Sequence, residues 1–89
     1  MKIAYDPIKR DLTLEARGLD MAEAAGIFAT ELFTVEDDRL DYGETRLMTV
    51  GFLGGHMVVL IWTARGTTRR IISLRKANAR EKAHFDPPP

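Results

Sequence analysis

Apolar and polar positions change period along the chain, and the change separates a helical first third from a strand-rich remainder. Lys2 to Tyr5 alternates and reads as a short first strand, stopped by Asp6 and Pro7. Asp6 is a good helix cap, and Pro7 suits a first turn, where its missing N–H costs nothing; a helix is therefore predicted from Pro7 to about Ala16. It carries Ile8 and Leu12 on one face and Lys9 and Arg10 near the other, and Gly18 ends it with a left-handed backbone. Asp20 opens a second helix, with Glu23 completing a box-like capping pattern. Met21, Ala24, Ala25 and Phe28 then recur at helical spacing and are expected to be core.

From Leu32 the period becomes that of a strand. Leu32 to Val35, Arg46 to Leu53, His56 to Arg65 and Arg69 to Arg75 are predicted strands, with a tight hairpin at Gly54 and Gly55 and a second at Gly66, Thr67 and Thr68. Val58, Leu60 and Trp62 face one way and Val59, Ile61 and Thr63 the other, so this strand is apolar on both sides and should be central. Glu36 to Glu44 reads as an exposed acidic loop, and Lys76 to His84 as a terminal helix that Asp86 and the following prolines cannot continue. The expected fold class is α+β: a small, mainly antiparallel sheet with two N-terminal helices and a short C-terminal one, in a single domain over residues 1–85 with a proline-rich tail at 86–89.

Composition narrows the picture. A chain of 89 residues with 45% apolar and 29% charged side chains builds one globular core, and with no cysteine that core holds without disulfides or a thiolate metal site. The longest apolar run, Met57 to Trp62, is far short of the roughly 20 residues that span a membrane. No export signal is evident at the amino terminus, so a cytoplasmic location away from membranes is expected. The net charge of zero conceals a segregation: Met1 to Ala64 holds 6 basic against 11 acidic side chains, whereas Arg65 to Phe85 holds 7 against 1. The basic end suits an anionic partner, or else offsets the acidic middle across the folded surface.

Candidate chemistry rests on arginine. His56 and His84 lie far apart, and no ligand spacing, phosphate-binding glycine loop or nucleophile–base pair is present, so no cofactor or metal is expected. By strand periodicity Arg69, Ile71, Ser73 and Arg75 share one face, and Arg75 ends an otherwise apolar strand, where its planar fork suits a phosphate. Across the second hairpin Arg65 and Arg69 are expected to lie together and converge with Arg75 on one anion, while Lys76 and Arg80 add charge one turn apart. Such a cluster fits RNA cleavage in which the ribose 2′-hydroxyl is the nucleophile and guanidinium groups stabilise charge on the phosphate.

The segments Tyr5-Asp6-Pro7 with Lys9, Arg17-Gly18-Leu19, Glu23-Ala24-Ala25 with Phe28, Asp37-Asp38-Arg39, Tyr42 to Arg46 and above all Arg70 to Glu81 resemble the BrnT family of bacterial toxins. The resemblance implies a RelE-like fold and a metal-independent endoribonuclease that stops translation. It further implies neutralisation by a ribbon-helix-helix antitoxin of the BrnA type, operator DNA reached only through that antitoxin, and dimers in the complex. On this basis Arg65, Arg75, Arg17 and Glu81 are the catalytic candidates, Glu81 orienting the arginines or acting as a weak base, and Lys9, Arg69, Lys76 and Arg80 follow the RNA backbone. Ala16 and Arg17 stand where the family usually has lysine and histidine, and Phe85 stands where it often has tyrosine, which keeps open an alternative: an impaired homologue that only binds its antitoxin.

Overall fold

The computed structural model describes residues 1–85; the proline-rich tail expected at 86–89 lies outside the described residues. Strand β1 (Lys2–Ala4) leads into helix α1 (Pro7–Arg17), a 3-10 turn (Met21–Glu23) and helix α2 (Ala24–Ala29). Strands β2 (Phe33–Asp37), β3 (Arg46–Leu53), β4 (His56–Arg65) and β5 (Thr68–Lys76) follow, and helix α3 (Ala79–Phe85) closes the described chain. The sheet order is β1-β5-β4-β3-β2, antiparallel except where β1 joins β5 in parallel, so the fold is α+β with a mixed, mainly antiparallel sheet.

Local chemistry sets the early boundaries. The Asp6 carboxylate accepts from the Ile8 N–H at 2.9 Å, and Gly18 closes α1 at φ 68° with its N–H on the Leu14 carbonyl. Asp20 caps the next segment through Ala22, but that segment begins as a 3-10 turn and leaves α2 six residues long. The buried stripe is Met21, Ala24, Ile27 and Phe28; Ala25, expected inside, is exposed because the 3-10 turn rotates the following residues relative to a continuous helix.

As its two-sided apolarity requires, β4 occupies the middle of the sheet, and Met57 to Thr63 are all buried. One face packs Val58, Leu60 and Trp62 with Ile71 and Leu74 against α2 and Leu19; the other gathers Val50, Val59 and Ile61 with Phe33, Ile72 and Phe85. On the helix side the Trp62 Nε1–H donates to Thr49 Oγ at 2.8 Å, satisfying the one polar atom of a large buried ring.

Several boundaries differ from the pattern-based ones. Strand β2 begins one residue late and takes in Glu36 and Asp37, and the Asp37 carboxylate, far from an exposed loop position, is buried against Arg39. Lys76 ends β5, and α3 starts at Ala79 because Asn78 caps it: its Oδ1 accepts from the Glu81 N–H at 2.8 Å while Glu81 Oε1 accepts from the Asn78 N–H at 2.9 Å. A bulge alters the alternation of β5. Ser73 pairs with Ile61 and Ile71 with Trp62, so Ile72 is an extra residue and the single face expected for Arg69, Ile71, Ser73 and Arg75 is broken.

Candidate functional site

Strand β1 covers only Thr68–Arg70 of the outer edge of β5. Beyond it α1 lies along the strand and supplies side chains in place of a ladder: Lys9 Nζ donates to the Ile72 carbonyl, and Arg17 Nη1 donates to the Leu74 carbonyl at 2.7 Å. Residues two apart on a strand present their carbonyls to the same edge, which is why two cations two helical turns apart meet two alternate acceptors. A groove of about 300 Å³ lies between them, lined by Leu12, Thr13 and Ala16 of α1 with Met21 and Ser73. Helix α1 is further pinned by Arg10, which grips the Asp20 carboxylate at 2.8 and 2.7 Å and holds it below the ordinary aspartate range.

Arg75 follows Leu74 directly and pairs across the sheet with Val59, so its side chain stands on the second face. There Glu81 receives it in a two-pronged ion pair, Nη1 to Oε1 at 2.7 Å and Nη2 to Oε2 at 2.9 Å. The carboxylate is pushed down to about 2, first by Arg75, then by the Asn78 N–H, with Arg39 adding attraction from nearby and burial opposing. Arg75 is held more firmly protonated by the same pair, outweighing its partial burial and the repulsion of Arg39. A carboxylate that acidic is a poor proton acceptor near neutral pH and a good clamp.

The sequence-based set is thereby divided. Lys9, Arg17, Arg75 and Glu81 cluster about the carboxyl-terminal half of β5; Lys76 is exposed at its end, and Arg80 is exposed one residue before Glu81 on α3. Arg65 and Arg69 belong to the opposite end. Arg65 lies on the same face as Arg75, but six residues further along β4 than Val59, the cross-strand partner of Arg75. That interval is about 20 Å at roughly 3.3 Å per residue. It pairs at 3.4 Å with Glu44.

Nor do Arg65 and Arg69 meet across their hairpin. The register sets Arg65 opposite Thr68 and Arg69 opposite Ala64, on alternate faces, and the Arg69 guanidinium lies over the rings of Phe28 and Trp62 at 4.4 and 4.8 Å. The expected convergence of Arg65, Arg69 and Arg75 on one anion is therefore not the arrangement observed.

Two contributors are absent from the sequence-based set. Asn78 orients Glu81, and the spacing Asn78-x-x-Glu81 carries its signal, since that is the interval of a capping box. Arg39 acts on both members of the Arg75–Glu81 pair from a distant loop, and nothing local in the sequence announces it. The larger hollow, about 430 Å³ beside the loop after β2, is lined by Asp37, Asp38, Asp41 and Glu44 with Arg46 stacked at 3.9 Å on Tyr42. Its carboxylates repel an anionic chain. Among the described residues, no helix is long and apolar enough to cross a membrane.

Comparison with curated proteins gives no match. The family described as ribonuclease toxin, BrnT, of type II toxin-antitoxin system matches residues 5–81, which span α1, the whole of β2 to β5 and the capping turn of α3 through Glu81. With most of its length matched, the chain belongs to the BrnT family of ribonuclease toxins.

Proposed function

We propose that this protein is a metal-independent endoribonuclease of the RelE type, acting in the bacterial cytoplasm to cut RNA and halt translation until a cognate ribbon-helix-helix antitoxin neutralises it. Toxin and antitoxin would assemble as paired copies, with operator DNA held by the antitoxin alone. The observation that carries the reading is the two-pronged clamp of Glu81 on Arg75 at the end of β5, where Arg17 bonds the carbonyl of the preceding residue, Leu74.

In this mechanism the scissile phosphate docks at the carboxyl-terminal end of β5. The 2′-hydroxyl gives its proton to water as its oxygen bonds phosphorus, and the P–O5′ bond breaks with the leaving oxygen taking a proton from water, so that a 2′,3′-cyclic phosphate and a 5′-hydroxyl result, while Arg75 bonds the non-bridging oxygens as their charge grows. Arg17 exchanges its carbonyl bond for a phosphate contact. Glu81 keeps the Arg75 fork in place and takes no proton, consistent with a carboxyl held down near 2 by Arg75. Preorganised charge and orientation supply the rate. Lys9, Lys76 and Arg80 hold the flanking backbone, and Arg65 and Arg69, at the far end of the strand pair, contact nucleotides further along.

The test is cleavage of total RNA by the purified chain, together with growth arrest on expression. Loss of both in Arg75→Ala, with the fold retained, is the expected result; intact RNA and unimpaired growth with the unaltered chain refute the reading.

A further inference from the structure

Helix α1 is built like an interface helix whose apolar row has no cover among the described residues. None of its residues is buried, and Ile8 and Leu12, one turn apart, are 72% and 60% exposed. Polar bonds attach it: Arg10 to Asp20, Lys9 and Arg17 to β5 carbonyls, and the Gly18 cap. Apolar packing, which usually holds an amphipathic helix to its domain, is largely missing here.

The apolar row has charged borders of opposite sign. By helical spacing Ile8, Leu12 and Ala16 form the row, Lys9 and Arg17 flank it on the side of β5, and Asp11 and Glu15 flank it on the other. Lys9 and Arg17 have no carboxylate partner among the described residues, only backbone carbonyls. An exposed row with this border is complementary to an amphipathic segment whose own apolar row carries acidic residues on one side.

Resting on the ribonuclease-toxin reading, we infer that α1 is the antitoxin's docking surface: an acidic, amphipathic segment of the antitoxin lies along Ile8 and Leu12 and pairs with Lys9 and Arg17. Two consequences make it a neutralising contact. The segment occupies the groove beside Ser73, and it engages Arg17, the residue assigned to the phosphate, so RNA and antitoxin exclude each other at one end of β5.

Because Ile8 and Leu12 stand in solvent, replacing them leaves the fold of the free chain intact, which makes a clean test. The protein is expressed with the product of the reading frame adjoining its own gene, and binding is measured with purified components alongside RNA cleavage by the toxin alone. The double variant Ile8→Ser/Leu12→Ser is expected to weaken binding roughly 100-fold and to escape neutralisation, its cleavage compared with and without the antitoxin, with melting temperature unchanged. Undiminished binding overturns the docking assignment while leaving the nuclease reading intact. Lost binding with a wild-type chain that cuts no RNA does the reverse. Should the double variant melt early, Leu12→Gln, a polar replacement of nearly equal length, reads the same surface. A wild-type chain that is dimeric alone and becomes monomeric on substitution identifies a second copy as the occupant and overturns the proposal.

Discussion

Glu81 grips Arg75 by both terminal nitrogens, at 2.7 and 2.9 Å, while the Asn78 N–H donates to Glu81 Oε1 and so fixes the carboxylate from behind. The same pair fastens α3 to β5, and at the other end of the helix Phe85 packs on Phe33 with ring centres 4.7 Å apart. One ion pair thus serves both the second core and the proposed phosphate site.

Charge alone is not what this site requires of Arg75. Lysine keeps the charge but lacks the fork that meets both Glu81 oxygens and, in the reaction, two phosphate oxygens. Arg75→Lys and Arg75→Ala are each expected to reduce single-turnover RNA cleavage by roughly 100-fold or more. Glu81→Gln, which retains one acceptor oxygen, should reduce it about 10-fold and stability by about 1 kcal/mol, a modest figure because the pair is partly solvated. Equal activity of Arg75→Lys and the parent would show that the fork is irrelevant.

Acid should loosen the molecule in a defined window. Glu81 is lowered from 4.5 to about 2, and Asp20 and Asp37 are lowered by Arg10 and Arg39 respectively. A folded-state value below the unfolded one contributes stability that is fully present above the unfolded value and is lost as pH falls through the folded value. For Glu81 the loss therefore runs from near pH 4.5 down to about 2. Urea midpoints recorded across that range should fall, and in Glu81→Gln the fall should be shallower; identical slopes would remove Glu81 as a contributor.

Helix α2 approaches β3 over a glycine. A Cβ placed on Gly51 would stand 2.6 Å from the Ile27 carbonyl oxygen, a backbone atom that can retreat only if α2 moves. Gly51→Ala is expected to cost about 2 kcal/mol, as overpacking of a close core does. Gly26, on α2 itself, has open space around it, and Gly26→Ala should gain up to about 1 kcal/mol from helix propensity. Opposite signs in chemical denaturation are the expected outcome; a neutral Gly51→Ala would show that α2 shifts without penalty.

Some of this architecture was legible because single residue types have narrow physical uses. The Asp6-Pro7 start and Gly18 stop of α1, the hairpin at Gly54 and Gly55, and the central place of the doubly apolar β4 all follow from local rules, and the structure shows each. What local rules miss is register. The extra residue at Ile72 and the pairing of Arg65 with Thr68 are settled by how whole strands align, and they decide which arginines share a face. Amphipathicity likewise marks Ile8 and Leu12 as a row without saying whether the chain itself covers it; among the described residues nothing does. Arg75 with Glu81 could be found from their neighbourhood in sequence, whereas Arg39 reaches them only through the fold.

Between β1 and the end of β5 the sheet edge is guarded by side chains instead of a strand. Lys9 and Arg17 occupy the carbonyls of Ile72 and Leu74, and they also bring positive charge to an edge that another chain could otherwise pair with. The variant Lys9→Met/Arg17→Met keeps comparable side-chain length but removes both donors, leaving acceptors that water only partly serves. It should lose about 1–2 kcal/mol of stability, by the usual worth of hydrogen bonds from charged donors at a partly exposed site. It should also associate with rising concentration, seen by sedimentation or light scattering, because an open edge offers backbone groups to a neighbour. The two effects separate the roles: reduced stability without association means that α1 still shields the edge by its bulk, and association at unchanged stability means that charge was the guard. If neither changes, the Lys9 and Arg17 bonds contribute nothing to holding α1 on β5, and the placement of α1 along that edge would have to come from Arg10 and the Gly18 cap alone.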